Sequence, residues 1–391
     1  MPHDLADLLD EGSRRLLAGI KGVTATPVTP LARELRAQGH DVCVFCLDPS
    51  IGEPTLLGGE KLAIHVLPKR RFRASARDFY GEERRLIREA VRKANPDVLC
   101  AQWSYDHALG ALDTGLPTVV VCHDTPLRYA WIAKNLFMAY HVVVAAVVFR
   151  RARHLIAVSP YTADHIRRWF FPGKTPTVIP NGLPMDIFER GQRRLQQPAG
   201  AARPFTICCV GGWGRIKNCK ALLEAFGTIR KEVPDARLVL HGGGLGAGEE
   251  AEAWAAARGL TAGVVFAGKA PRDRILDFLA SDVDLMIHPS LVECHPMVLI
   301  EAIACGVPVL AGKQSGGVAW TLGEGRYGTL CDVRNPAEIA KAALAIIAAG
   351  DNHKPSPAEA WQGIREEAGI DRIASRIAEQ LQEIQKTPAK A

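Results

Sequence analysis

The chain has 391 residues, of which 48% are hydrophobic and 23% charged. That length calls for two or three domains, and that balance excludes a largely disordered chain. The formal net charge of +6 is too small for a dedicated nucleic-acid binder.

The N-terminal residues Met1 to Gly12 are acidic and lack a hydrophobic signal core. The periodicity predicts a helix over Leu31–Gln38, stopped by Gly39, and then a strand over Asp41–Leu47. Cys43 and Cys46 form a C-x-x-C on that strand, where alternation puts the thiols on opposite faces, against a redox pair. From Lys61 to Lys93 eleven Lys/Arg stand against four Asp/Glu, so this one segment accounts for the net charge. A focused basic patch suits an anionic partner or a solvated Arg-rich helix face. A helix follows over Glu82–Ala94, then strands over Asp97–Ala101 and Pro117–Cys122. Leu136–Phe149 is the most apolar stretch, too short to span a bilayer. It reads as a buried helix, the other reading being a helix lying at a membrane surface beside Arg150, Arg151 and Arg153. A strand is predicted over Ala152–Val158, a helix capped by Ser159, and a strand and turn over Val178–Gly182.

Residues 190–203 carry Gly, Pro and three Gln with little apolar content and read as a linker. Strand–helix alternation then restarts. Strands are expected over Phe205–Val210, Ala236–His241, Gly263–Ala267, Asp284–His288 and Val307–Ala311. Helices alternate with them, and the last runs over Ile370–Gln385. Repeated strand–helix units imply parallel sheets with right-handed crossovers. The expected architecture is therefore α/β, two Rossmann-like doubly wound domains facing across a cleft. The boundaries are 1–190, a linker over 191–203, 204–365, and a C-terminal helix over 366–391 packing back on the first domain. The ten cysteines lie mostly in apolar runs, as free thiols do in a reduced compartment. No pair stands at zinc-site spacing.

The strongest chemical signal is the run from His288 to Pro308, HPSLVECHPMVLIEAIACGVP. A strand ends at His288, Pro296 starts a helix, and Gly306 and Pro308 stop it. The amides of Met297 and Val298 at the helix start form a phosphate site. Glu293 before the helix and Glu301 on it suit neutral hydroxyls, as on a ribose and a hexose. Asp282 and Asp284 form a D-x-D, but Asp284 opens an apolar strand and no metal site is read there. A G-x-G-x-x-A after His241 lies too deep in the second half for a dinucleotide fingerprint.

With Pro289-Ser290 before Glu293 and the Glu301-Ala-Ile-Ala-Cys-Gly-Val-Pro308 end, the run resembles the E-x7-E signature of retaining GT-B glycosyltransferases, family 4 type. The resemblance covers about Gly22 to Ala349. It implies that Glu301 contacts the nucleotide ribose and Glu293 the donor sugar. Gly211-Gly-Trp-Gly-Arg-Ile-Lys217-Asn218 resembles the family's diphosphate loop, which makes Lys217 a phosphate ligand. Arg215 is the second cation, although the family's Arg usually lies farther upstream. Ser315-Gly316-Gly317 resembles a glycine loop near the donor, with Trp320 where the family often has Glu. By the same resemblance His123 lines the donor-sugar pocket, and Asp124 beside it orients His123 or binds acceptor. Gly22 alone matches the family's acceptor-side glycine loop, after a short strand over Leu16–Ile20.

The resemblance implies retaining transfer of a hexose-type sugar from a nucleotide sugar, UDP- or GDP-linked, to a glycan or lipid-linked acceptor. The setting would be cell-surface polysaccharide or glycolipid biosynthesis. No metal, no other cofactor and no nucleic acid are expected. The expected location is cytoplasmic, with peripheral contact at the anionic inner face of the plasma membrane. The alternatives are a nucleotide-sugar 2-epimerase on the same fold and a non-catalytic nucleotide-sugar or glycan-binding protein.

Overall fold

In the computed structural model, residues 2–22, 26–196 and 203–386 are described. The chain divides into two units. The first comprises Met1–Ala130, Lys134–Gly182 and Ile370–Ala391, the second Trp131–Ala133 and Leu183–Gly369.

The strands of the first unit fall into two sheets. β1 (Val42–Asp48) pairs in parallel with β3 (Leu62–Pro68), and β2 (Thr55–Gly59) runs antiparallel to β3. β4 (Leu99–Gln102), β5 (Thr118–Cys122), β6 (His154–Ala157) and β7 (Thr177–Val178) form a parallel sheet in chain order. The β2–β3 hairpin occupies a stretch for which the sequence reading has no strand. It turns tightly at Glu60-Lys61, with Lys61 in the left-handed region at φ 51°. Helices of this unit are α1 (Glu11–Leu17), α2 (Val28–Ala37), α3 (Phe72–Arg77), α4 (Gly81–Ala94), α5 (Asp106–Leu112), α6 (Pro126–Ala133), α7 (Leu136–Arg151) and α8 (Pro160–Trp169).

Local chemistry explains these boundaries. In β5 every residue of Thr-Val-Val-Val-Cys is buried, the composition of a strand covered on both faces. Glu82 and Glu83 open α4, and Arg92 and Lys93 close it, both in accord with the helix dipole. Ser159 caps α8 by accepting from the Thr162 amide at 3.3 Å. The short strand expected over Leu16–Ile20 is absent. Asp10 accepts from the Ser13 amide at 2.7 Å and starts α1 there instead, so Leu16 and Leu17 become helical. The rest of the expected glycine loop, residues 23–25, lies outside the described residues. Helix α7 is half-buried rather than enclosed: His141, Val144, Ala145, Val148 and Phe149 face the core, while Leu136 and Val143 are open.

The second unit is a six-stranded parallel sheet. Its strands are β8 (Thr206–Gly212), β9 (Arg237–Gly243), β10 (Val264–Gly268), β11 (Leu285–His288), β12 (Val309–Gly312) and β13 (Thr329–Cys331). The spatial order is β10-β9-β8-β11-β12-β13. Strand order reverses between β8 and β11. In such sheets ligands bind beyond the carboxyl ends of the strands at that reversal.

Its helices are α9 (Met185–Gln196), α10 (Cys219–Glu232), α11 (Glu250–Ala256), α12 (Arg272–Asp282), α13 (Met297–Ala304), α14 (Val318–Thr321), α15 (Pro336–Ala349) and α16 (Pro357–Ala368). Residues 190–196, read as linker, are instead the end of α9. Ile187 and Phe188 are its apolar anchors, and Gly191 lies so close to α13 that a Cβ would stand 1.9 Å from the Ala304 carbonyl oxygen. Such a helix needs few apolar residues, which is why its composition resembles a linker. Residues 197–202 of that stretch lie outside the described residues.

The last helix, α17 (Ile370–Lys386), belongs to the first unit. Gln38, which ends α2, donates to the Asp371 carbonyl at 3.1 Å, and Arg376 donates to the Val178 carbonyl at 2.8 Å. All ten cysteines are free thiols; Cys43 is exposed on β1 and Cys46 buried on its other face. No helix among the described residues is long and apolar enough to cross a membrane.

Candidate functional site

The strand reversal in the second unit decides where to look. β8 ends at Gly211-Gly212, and the loop after it carries Arg215, Lys217 and Asn218 into α10. β11 ends at His288, and the loop after it carries Glu293 into α13. The two loops are bonded together. The Leu291 amide donates to the Ile216 carbonyl at 2.8 Å, and Ser290 Oγ to the same oxygen at 3.2 Å. Asn218, left-handed at φ 53°, donates to the carbonyls of Pro289 at 3.3 Å and Val333 at 2.8 Å.

Glu293 is buried in this junction. Its Oε1 receives Lys217 Nζ at 2.5 Å and His288 Nε2 at 3.0 Å. Burial alone would raise its pKa, but His288 and Lys217 outweigh burial and hold it at about 2. His288 is itself buried, and its Nδ1 has no partner among the described residues. The backbone of Glu293 is fixed as well: its amide donates to the Ser315 carbonyl at 3.1 Å, and the Gly317 amide donates to its carbonyl at 2.8 Å. Gly316 sits between those bonds at φ +69°, a conformation suited to glycine. The structure thus brings Lys217, Glu293, Gly316 and Gly317 together.

Pro296 caps α13, and Met297 and Val298 form its first turn. Their amides have no preceding carbonyl in helical register and so point out of the helix start. Glu301 follows one turn on, buried, and its Oε1 receives Arg272 Nε at 2.9 Å and Nη2 at 2.6 Å. In both carboxylates the bonds to described residues fall on Oε1 alone. Arg215 is exposed in the Lys217 loop and makes no ion pair among the described residues.

In the first unit the carboxyl ends of β4 and β5 lie side by side. His123 Nε2 donates to Gln102 Oε1 at 2.7 Å, and Asn181 hydrogen-bonds the ring too. Burial pushes the imidazole down to about 4, so it is neutral at pH 7. The Trp103 ring packs 4.5 Å from it, with Trp103 held at φ 63°. A bulky residue in that region stores strain, as functional loops do. Asp124 accepts from Tyr105 Oη at 2.7 Å, while burial raises its carboxyl to about 6. Its Oδ1 is buried without a partner among the described residues. Gly22 lies elsewhere, at the end of β1, where its amide donates to Asp48 Oδ2 at 2.7 Å.

Sequence reasoning places Gln102–Tyr105 after a strand end, where ligands bind, without pairing Gln102 with His123 or Tyr105 with Asp124, and it misses His288 and Arg272 as members of these clusters. Two signals existed. His288 closes a strand at its carboxyl end. Arg272 is a cation opening a helix, against the dipole preference, which is a sign of another use.

Comparison with known proteins gives a consistent answer. The family described as "Glycosyltransferase Family 4" matches residues 25–186, and "Glycosyl transferases group 1" matches residues 192–357. N-acetyl-alpha-D-glucosaminyl L-malate synthase of Bacillus anthracis is 25% identical over 300 residues, which is 74% of this chain and 75% of that protein. D-inositol 3-phosphate glycosyltransferase 2 of Catenulispora acidiphila is 30% identical over 208 residues, which is 50% of this chain and 48% of that protein. Among solved structures, sucrose-phosphate synthase from Thermosynechococcus elongatus superposes with a TM-score of 0.73 at 18% identity, covering 91% of this chain and 92% of its own. Anabaena HepE, solved with UDP and glucose, gives a TM-score of 0.69 at 20% identity, covering 93% and 97%.

Proposed function

We propose that this chain, which belongs to the group 1 glycosyltransferases of GT-B fold, transfers a hexose-type sugar with retention from a nucleotide sugar to a glycan or lipid-linked acceptor. The observation that carries this reading is the junction at the strand reversal, where Lys217 and the start of α13 flank two carboxylates that each keep one oxygen clear of bonds to the described residues.

The chemistry follows from charge. When the glycosidic bond to the diphosphate breaks, negative charge grows on the departing phosphate. Lys217, Arg215 and the amides of Met297 and Val298 would neutralise it without a metal ion, as fixed donors aimed at developing charge do. Glu301 would accept from ribose hydroxyls through Oε2, with Arg272 orienting it. Glu293 would accept from hydroxyls of the donor sugar, close to Gly316 and Gly317. In the first unit neutral His123 would hydrogen-bond the sugar, and Asp124 would accept from the acceptor hydroxyl. Lys217 must leave Glu293 or share itself when the diphosphate binds, so donor binding reorders this ion pair.

A UDP-sugar is the first donor to test, because HepE has been solved with UDP and with UDP-glucose; GDP-sugars come second. The setting we infer is the assembly of cell-surface polysaccharide or glycolipid in the cytoplasm, with the protein held at the inner face of the membrane.

The test is a thermal-shift and hydrolysis screen of UDP-, GDP- and ADP-sugars on wild type and Glu301→Ala. One donor should raise Tm and release its nucleotide slowly, and the variant should lose the shift. No response to any donor, or an equal response in the variant, would sink the reading. NMR of the product's anomeric proton then decides retention.

A further inference from the structure

Helix α7 is apolar on every side, with no Asp, Glu, Lys or Arg from Leu136 through Phe149. A helix of that kind belongs inside a core or against lipid. Here only one face is covered. Leu136 is 89% exposed, Phe137 47% and Val143 56%, and Leu136, Ala139 and Val143 recur at helical spacing along one outward stripe.

Cations surround the start of this stripe. α3 is fixed against it: Phe72 packs on Phe137 at 4.6 Å and on Tyr140 at 5.5 Å, and Tyr140 Oη donates to the Ala76 carbonyl at 3.3 Å. Arg70 is consumed by Asp78 and Glu83. Arg71, Arg73 and Arg77 on α3, and Lys134 before α7, are exposed, and none of the four makes an ion pair among the described residues. The surface therefore offers an apolar stripe beside four uncommitted positive charges.

We infer that the outward stripe of α7 and the free arginines of α3 form a docking face for an anionic bilayer. Leu136, Phe137 and Val143 would enter the acyl boundary, and Arg71, Arg73, Arg77 and Lys134 would meet the phosphate headgroups. Binding of this kind needs both signals at once, apolar insertion and a basic patch. A second copy of this chain fits less well, because a two-fold contact through the stripe would oppose the same cations to themselves.

The inference rests on the proposed lipid-linked acceptor, and the layer under the stripe supports that link. His141 packs edge-on against Tyr105 at 4.6 Å, and Tyr105 donates to Asp124. Asp124, proposed to receive the acceptor hydroxyl, thus lies one aromatic layer beneath the docking face.

The experiment is flotation of the full chain with vesicles of phosphatidylcholine alone or with phosphatidylglycerol, alongside the donor thermal shift. Wild type should float with phosphatidylglycerol vesicles only. Arg71→Gln/Arg73→Gln/Arg77→Gln should weaken partitioning about fivefold per charge removed. Leu136→Gln/Val143→Gln should weaken it about tenfold or more, and the donor shift should be unchanged in both variants. Three results would overturn the inference: wild type that stays with the pellet, a Leu136→Gln/Val143→Gln variant that floats like wild type, or a wild-type dimer that this variant dissolves. A donor shift that persists through such a failure leaves the transferase reading standing. Flotation without any donor shift sinks the transferase reading and keeps the face.

Discussion

Glu293 and Asp124 are carboxylates displaced in opposite directions, and the signs give separate tests. The folded pKa of Glu293, about 2, lies below its ordinary 4.5. Its ionised form therefore stabilises the fold above about pH 4.5, and that contribution is lost as pH falls toward 2. Glu293→Gln should lower Tm at pH 7 and flatten its dependence between pH 5 and 2, read by calorimetry. Asp124 runs the other way, raised from 3.8 to about 6 by burial. Its charged form costs stability above pH 6, and the fold gains as pH falls from there toward 4. Asp124→Asn should raise Tm by a few degrees at pH 8 and not at pH 4, while slowing transfer. Lys217→Ala should reduce kcat by about 10²–10³, the usual loss when one fixed donor to developing charge is removed. Glu293, Glu301 and Lys217 were legible in the sequence because a family signature and a strand–loop–helix rhythm marked them. His288 and Arg272 were not, because what recruits them is a contact made only in three dimensions.

Most strands and helices could be read because their apolar periods are strong: β5 and β8 differ from their expected spans by a residue or two. The failures share a cause. Over Leu16–Ile20 an apolar run was read as strand, and a single cap at Asp10 decided for helix. In α9 two anchors and one glycine sufficed for burial, so polar composition misled. The β2–β3 hairpin was missed because its turn, Glu60-Lys61, lacks the Gly or Asn that usually marks one. Glycine elsewhere has a sharper role. At Gly242 φ is +137°, and a Cβ would stand 1.6 Å from the Gly211 carbonyl oxygen, between the ends of β8 and β9. Gly242→Ala should cost more than about 2 kcal/mol in urea unfolding and disturb the Lys217 loop that starts there.

At the scale of the whole chain, apart from the short segment Trp131–Ala133, the backbone leaves the first unit at Gly182 and returns at Ile370. The return helix is substantial: Ile370, Ile373, Ile377 and Ile384 of α17 are each no more than 6% exposed. At about 2 kcal/mol for each buried isoleucine, α17 approaches the entire stability of an ordinary domain. A chain ending at Gly369 should therefore lose the folded first unit, seen as lost protection from protease there, while the second unit keeps its donor shift. The same arrangement explains why composition alone could not place the boundary, since neither crossing falls in the polar stretch near residue 197. The cysteines then turn the molecule into its own clock. Cys46 and Cys122 sit buried in the first unit and Cys208, Cys305 and Cys331 in the second, with burial pushing all five thiols up to about 12. An alkylating reagent reaches them only when the surrounding structure opens. Mass-resolved labelling would time the opening of each half separately in one unlabelled, unmutated sample, with Cys43 as the zero-time mark.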